Sequence, residues 1–220
     1  MTKKDLAKQT AAVLEALYPA ATCSLEYEGE AWKLLIMARL SAQCTDARVN
    51  LVSKTLFERF PTLEAVAESN LADLEEAVKP CGLYKTKAKS IKETAEILVR
   101  DFHGEVPRTM DELLTLPGVG RKIANLMLGD VFGQPNIVTD THCIRICGRL
   151  GFYPESEKNP AKIEKILDAC VEKPIQSDFC HRIVWFGREV CSARTPQCGE
   201  CPMREFCRHA QKESRKTAKK

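Results

Sequence analysis

Four cysteines crowd into seventeen residues near the end of the sequence, and their thiolates could bind a metal. They are Cys191, Cys198, Cys201 and Cys207, separated by spacers of six, two and five residues. Four thiolates suit either a tetrahedral zinc ion or a [4Fe–4S] cluster, and the spacing alone leaves that choice open. The longer spacers, together with Pro196, Gly199 and Pro202, favour a bulky group with a structural task. The same loop carries Arg194, a cation that could contact phosphate.

A second candidate site is the stretch 116–122, Leu-Pro-Gly-Val-Gly-Arg-Lys, which predicts a helix, a tight turn and a second helix. Pro117 ends the first helix, and Gly118 permits backbone dihedrals that other residues avoid. Gly118, Val119 and Gly120 would leave backbone N–H donors at the positive end of a helix dipole, where a phosphate binds. The alternative is a plain turn whose glycines allow close packing. The following Arg-Lys pair favours the phosphate site, the pattern of helix-hairpin-helix DNA-binding proteins.

Lys122 is a candidate nucleophile within this stretch. It lies two residues past Gly120, in the first helical turn, where the helix dipole disfavours a cation, and Arg121 is adjacent. Both features favour loss of the ammonium proton, and a neutral lysine amine can attack a sugar or carbonyl carbon. The alternative interpretation is an ordinary solvated surface charge.

Asp140 follows an apolar lead-in, Ile-Val-Thr, eighteen residues after Lys122. The residues by themselves favour a helix N-cap at Asp140, because Asp is a preferred capping residue. A carboxylate fixed and ionised at a helix start could also stabilise a developing cationic sugar, as carboxylates do in glycoside cleavage. His142 could contact either a phosphate or the core, and no metal partner for it is evident.

The elements that position these groups are helices. Apolar residues recur at helical spacing along most of the chain, caps such as Thr45, Thr62 and Asn70 precede them, and no segment alternates as a strand would. We therefore predict about ten helices and an all-α fold. Asn159-Pro160 and Ser177-Asp178 are further predicted helix starts, and Gly104 a predicted helix end.

Composition excludes several classes of protein. Apolar residues make up 44% of the chain, which is too many for a disordered protein, and the formal net charge is only +3. We expect no membrane span and no secretory signal, so the clustered thiols indicate metal ligands rather than disulfides. Five basic residues crowd the last nine positions, which indicates a solvated terminus, with extra phosphate affinity as the alternative.

Together and in this order, these elements resemble the endonuclease III family of DNA glycosylase/lyases. The resemblance covers roughly residues 5–208. Two further stretches look like family segments, Ser-Ala-Gln-Cys-Thr-Asp at 41–46 and Gly-Leu-Tyr-Lys-Thr-Lys-Ala at 82–88. The resemblance implies an all-α, two-lobed helix-hairpin-helix DNA glycosylase fold with a DNA-binding cleft between the lobes.

The domains that the resemblance implies have the following bounds. Residues 24–133 would form a six-helix barrel domain with the helix-hairpin-helix. Residues 1–23 plus 134–208 would form an iron–sulfur domain, with the four clustered cysteines as ligands of a [4Fe–4S] cluster. Beyond the resemblance, the basic composition predicts a disordered tail over residues 209–220.

The resemblance also implies roles for individual residues. Lys122 would be the Schiff-base nucleophile and Asp140 its carboxylate partner. Gln43 and Leu83 would enter the duplex, to replace and to wedge the extruded base. Gly118 to Gly120 and His142 would hold phosphates.

The implied function is that of a bifunctional DNA glycosylase/AP lyase of base excision repair. Its substrate would be double-stranded DNA that contains damaged, oxidised pyrimidines or abasic sites, and the strand would break 3′ to the lesion by β-elimination. The expected setting is a monomer in a bacterial or archaeal cytoplasm, with no membrane partner. Thr139 and Cys44 depart from the usual family pattern near the site, which leaves the lesion range open.

Two alternatives remain at this point. A monofunctional mismatch glycosylase would use Asp140 to activate water and would release a base without strand cleavage; Lys122 argues against it. A non-catalytic helix-hairpin-helix binding module stapled by zinc would bind DNA in a salt-sensitive way without turnover.

Overall fold

The computed structural model describes the backbone of residues 1–217 and the side chains of residues 1–214. Within that part of the chain it has twelve α-helices, two short 3-10 helices and no strand, which confirms the predicted all-α class. None of the described helices is long and apolar enough to cross a membrane. The chain divides into two compact units, Cys23–Gln134 and Met1–Thr22 with the chain from Pro135 onward.

The helices follow one another along the chain with short connections. In order they are α1 (Lys3–Leu17), α2 (Ala31–Leu40), α3 (Asp46–Arg59), α4 (Leu63–Glu68), α5 (Leu71–Val78), α6 (Tyr84–Asp101), α7 (Met110–Thr115), α8 (Arg121–Asp130), α9 (Thr141–Leu150), α10 (Pro160–Asp168), α11 (Gln176–Glu189) and α12 (Arg208–Thr217). The 3-10 helices are Lys79–Cys81 and Lys173–Ile175.

The unit Cys23–Gln134 contains α2 to α8 around one apolar core. The long helix α6 packs against α4 and α5 and places Ala88, Ile91 and Ala95 in that core. The predicted caps before α3, α4 and α5 are confirmed, because each side chain accepts a backbone N–H of the helix it precedes. Gly104 closes α6 as predicted: its φ is +83° and its N–H donates to Leu98 O at 2.9 Å.

The second unit contains α1 and α9 to α12 around a separate core. Helix α11 packs against α1 and α9, and α12 packs against α9. Asn159 caps α10 as predicted by accepting the N–H of Lys162. The predicted start at Ser177-Asp178 is wrong, because both residues lie inside α11: this helix begins at Gln176, where the preceding 3-10 helix runs directly into it.

The prediction of a disordered tail over 209–220 is wrong for the part that the structure describes. Residues Arg208–Thr217 form α12, and only residues 218–220 lie outside the described part. Ala210 is buried in the core, and both His209 and Lys212 lie within 4 Å of carboxylate oxygens of Glu155. The helix is therefore anchored by the buried Ala210 and by the contacts of His209 and Lys212 with Glu155. The excess of positive charge in the sequence favoured a solvated tail instead.

Candidate functional site

The predicted hairpin joins α7 to α8. Gly118 has φ +77°, a left-handed conformation that favours glycine, and Gly120 is the N-cap of α8 with an extended backbone. Thr94 Oγ1, on α6, donates to Pro117 O at 3.1 Å and so fastens the bend to the body of its unit. The turn therefore presents the first backbone groups of α8 directly after the glycines.

The sequence predicted Val119 as part of the phosphate site, but the structure places Val119 in the core. Its side chain is only 7% exposed, and its N–H donates to Leu116 O at 3.1 Å inside the turn. That donor is therefore committed to the bend, and Val119 anchors the hairpin in the core. The exposed residues Gly118 and Gly120 flank it, and they are the ones whose backbone a phosphate could approach.

We expect Gly118→Ala to lower the free energy of unfolding by about 2 kcal/mol. A Cβ at this position would lie 2.3 Å from Arg39 Nε and would sit on a left-handed backbone. Arg39 Nε donates to Ser90 Oγ at 2.8 Å, so the guanidinium cannot move aside without losing that hydrogen bond.

Urea unfolding measures this loss, with Gly120→Ala as the matched control. A Cβ at Gly120 would meet nothing within 4 Å, and its φ is −100°. Equal losses in the two variants would contradict the close approach of Arg39 to the bend.

Lys122 is the second residue of α8, and its side chain is exposed. Ala124, Met127 and Leu128, on the other side of the helix, are buried in the core. The first turn is closed by the N–H of Ala124, which donates to Gly120 O at 3.0 Å. The fold therefore presents an accessible amine in the first turn of α8, two residues after Gly120.

Gln43 and Leu83, the two residues predicted to enter a duplex, have left-handed backbones. Gln43 has φ +54° in the loop between α2 and α3, and Leu83 has φ +48° immediately before α6. Gln43 is exposed, and Leu83 is 56% exposed. For residues other than glycine this conformation costs about 1–2 kcal/mol, and such strain concentrates at functional sites.

Asp140 is the N-cap of α9, so the predicted capping role is confirmed. Its Oδ1 accepts the N–H of Cys143 at 2.7 Å. His142, two residues on, is half-buried, and its Nδ1 lies 3.2 Å from Arg145 Nη2. A guanidinium can only donate, so Nδ1 is the acceptor in this hydrogen bond.

We expect Asp140→Asn to separate capping from catalysis. Asparagine is as good an N-cap as aspartate, so the free energy of unfolding should change by less than about 0.5 kcal/mol. Loss of the negative charge should lower the single-turnover rate of base release about 100-fold. Asp140→Ala, which also removes the cap, should lose about 1 kcal/mol in addition. An Asp140→Asn variant with the wild-type rate would limit Asp140 to capping.

The four clustered cysteines line one cavity, whose empty space of about 350 Å³ includes space open to solvent. The cavity wall is otherwise mainly apolar, with Ile146, Leu150, Phe186 and Met203 among its residues. All eleven cysteines of the chain are free thiols, so none of the four is held in a disulfide. The four thiols therefore lie around one shared space, as the ligands of a single bound group would.

The donor set of this cavity fits an iron–sulfur cluster. Four thiols line one mainly apolar cavity, and thiolates are the ligands that such clusters take. Arg149 Nη1 donates to Cys191 Sγ at 3.3 Å and to Ser192 O at 2.7 Å. Hydrogen bonds to ligand sulfurs stabilise the negative charge of a thiolate-bound cluster.

Comparison with known proteins identifies the family. Residues 36–173 match the model for the HhH-GPD superfamily base excision DNA repair protein, and residues 191–207 match the iron-sulfur binding domain of endonuclease III. The chain is 42% identical over 211 residues to endonuclease III of Synechocystis sp., which covers 96% of this chain and 95% of the relative. The chain belongs to the endonuclease III family. Endonuclease III of Bacillus subtilis is also 42% identical, over 91% of this chain and 90% of its own length.

Solved structures agree with this membership of the endonuclease III family. The chain resembles endonuclease III in a trapped covalent intermediate with DNA, with a TM-score of 0.91, 39% identity, and coverage of 97% of this chain and 99% of that one. A thermostable thymine-DNA glycosylase shares the fold, with a TM-score of 0.86 at 21% identity. Endonuclease III family members carry a [4Fe–4S] cluster, and so does this chain.

Three residues that matter for these sites were not predicted from the sequence. Lys87 is buried beneath the loops that carry Gln43 and Leu83, Arg39 packs on the hairpin, and Arg149 contacts a clustered cysteine. A signal was present for Lys87, which lies four residues before the core residue Ile91 on α6 and therefore on its buried face. No comparable signal marks Arg39 or Arg149, because only the folded chain brings them to their partners.

Proposed function

We propose that Lys122 is the nucleophile with which this enzyme, a DNA N-glycosylase with AP lyase activity, removes damaged pyrimidines. The exposed amine in the first turn after the glycine bend is the observation that supports this role most strongly. The relative trapped with DNA as a covalent intermediate shows that a member of the family bonds to its substrate. The amine of Lys122 is the group in this chain best suited to do so.

The proposed reaction begins after the lesion has left the base stack. Lys122 Nζ attacks C1′ while the glycosidic bond breaks, and the base departs with the electron pair and takes up a proton. Nζ then loses a proton, the C1′–O4′ bond of the sugar ring breaks, and O4′ takes up a proton. The resulting iminium between Nζ and C1′ acidifies the C2′ proton. Loss of that proton expels the 3′ oxygen and breaks the strand 3′ to the lesion by β-elimination, and water then releases the lysine.

Asp140 is proposed to oppose the positive charge that develops on the sugar. Its carboxylate is held at the start of α9 by the N–H of Cys143, which fixes its position. Fixed charges aimed at developing charge lower a barrier more than mobile ones, because they need no reorganisation.

Duplex binding is proposed to use backbone donors and strained loop tips. Gly118 and Gly120 would seat a phosphate, with Val119 holding the bend for them. His142 and the exposed Arg194 would contact further phosphates. Gln43 would replace the extruded base and Leu83 would wedge the stack, which requires the exposed positions that both residues occupy.

Cys191, Cys198, Cys201 and Cys207 are proposed as the ligands of the cluster. These four residues would hold a bound cluster entirely from within the loop 191–207, and the loop would be closed on itself. Arg149 would complement its charge through Cys191 and would hold the loop through Ser192 O and Ala193 O. We further propose that the protein acts as a monomer. We also propose that it acts on chromosomal DNA in the bacterial cytoplasm, since the relatives of this chain named above are bacterial proteins.

Borohydride trapping on duplexes tests the proposed function. The holoenzyme should release an oxidised pyrimidine, cleave the strand, and form a covalent adduct when borohydride is present. Base release without cleavage or adduct would indicate the monofunctional mismatch glycosylase. Salt-sensitive binding without turnover by a colourless protein would indicate the zinc-stapled module.

A further inference from the structure

Lys87, on α6, is a fully buried lysine, with 0% of its surface exposed. Its ammonium donates to two backbone carbonyls, Leu40 O and Cys81 O, each at 2.8 Å. Among the described residues the ammonium pairs with no carboxylate. Lys87 is therefore a buried charge satisfied by carbonyl dipoles, and its two partners lie 41 positions apart in the sequence.

A buried ammonium lowers the stability of the fold, so a lysine is a poor choice for a position whose only role is to fill space. Desolvation of an ammonium is strongly unfavourable, and a hydrocarbon side chain would avoid it. Burial accordingly lowers the pKa of Lys87. The neighbouring thiol provides no counter-charge near neutrality, because burial raises the pKa of Cys81 to about 11. The charge must then contribute through the carbonyls that it binds.

Each of these carbonyls lies at the base of a loop with a proposed DNA contact at its tip. Leu40 is the last residue of α2, three residues before Gln43. Cys81 is the last residue of its 3-10 helix, two residues before Leu83. Carbonyls at helix ends lack partners within the helix, and the ammonium of Lys87 supplies one donor to each.

Both loops contain a strained backbone conformation, which the two hydrogen bonds of Lys87 can help to maintain. Gln43 and Leu83 are two of the four non-glycine residues with positive φ in the described chain. Left-handed residues persist only where their surroundings over-determine them. A rigid clamp at the two loop bases meets that requirement, and it fixes the tips relative to each other.

We infer that Lys87 is a positioning residue that holds the Gln43 and Leu83 loops in mutual register for insertion into a duplex. The inference rests on the proposed roles of Gln43 and Leu83. Lys87 itself is buried and touches no DNA. Its effect must therefore appear where the bases have to be separated, and not in the chemistry on the sugar.

The ratio of lyase rates on duplex and single-stranded abasic DNA tests this inference. A single-stranded abasic site needs no wedge, so its cleavage reports chemistry alone, whereas duplex cleavage also requires insertion of the loops. We expect Lys87→Met to lower the duplex-to-single-strand ratio about tenfold, because both charged hydrogen bonds are lost. The fluorescence of a 2-aminopurine placed beside the lesion reports unstacking of the bases. When the Lys87→Met variant binds the duplex, this fluorescence should rise less than it does when the wild type binds.

Two further variants complete the experiment. Lys89→Met is the matched control, since Lys89 lies two residues away on α6 with an exposed side chain, and its ratio should equal that of the wild type. Lys87→Gln removes the charge but keeps an amide donor, and it replaces Lys87→Met if that variant is unstable; its ratio should also fall.

The outcomes are distinct from those for the proposed function. Folded Lys87 variants with the wild-type ratio, or with equal losses on both substrates, would overturn the inference. Failure of both variants to fold would also overturn the inference. Lys87 would then be required for the folding of the whole unit, and not for the position of the two loops. Absence of lyase activity in the wild type on either substrate would instead refute the proposed function.

Discussion

Replacement of Lys122 with alanine should abolish the borohydride-trapped adduct and strand cleavage. The adduct requires an amine at this position, and cleavage should fall roughly 10³-fold or more, as it does when a covalent nucleophile is removed. Stability should hardly change, because the side chain is exposed and the buried face of α8 stays intact. The adduct is measured by its retarded migration in denaturing gels.

Lys54→Ala is the matched control for this prediction. Lys54 is also exposed on a helix of the same unit, and its ammonium lies 3.6 Å from a carboxylate oxygen of the exposed Glu26. This variant should trap as the wild type does. Undiminished trapping by a folded Lys122→Ala variant would assign the nucleophile to another amine.

Replacement of Cys207 with alanine should remove the cluster and destabilise its unit. Cys207 is buried at the end of the loop and directly precedes α12, so its loss should free both elements. We expect the broad visible absorption to disappear and the free energy of unfolding to fall by about 4 kcal/mol or more, as when a structural metal is lost. That loss corresponds to a decrease in Tm of roughly 10 °C.

Cys170→Ala controls for the loss of a buried thiol. Both cysteines are 8% exposed and belong to the same core, but Cys170 does not line the cavity with the other four. Its variant should keep the iron content and absorption of the wild type. Equal iron content in the two variants would contradict the assignment of Cys207 as a ligand.

The sequence predicted the parts of this molecule whose physics is local. The caps at Thr45 and Asp140 depend on residues within three positions, and the all-α class depends on helical periodicity. The glycine bend was also predictable, because only glycine adopts the φ of Gly118 freely. Each of these features can be inferred from a short window of sequence.

The features that the sequence missed depend on contacts between distant segments. Val119 turned out to be a core residue because the bend rotates its side chain inward. Helix α12 packs on its unit because Ala210 is buried in the core and because the fold brings His209 and Lys212 next to Glu155, which lies far earlier in the sequence. Lys87 is the clearest example, since its two carbonyl partners come from separate loops.

Mass-spectrometric mapping of the borohydride-reduced adduct tests the central claim most directly. The holoenzyme is trapped on an abasic duplex, digested with nuclease and protease, and searched for a lysine that carries the reduced deoxyribose fragment. The proposed chemistry predicts this mass on the peptide that contains Lys122, at that residue. A sugar remnant on any other amine, or a cleaved strand with no modified peptide, would contradict it.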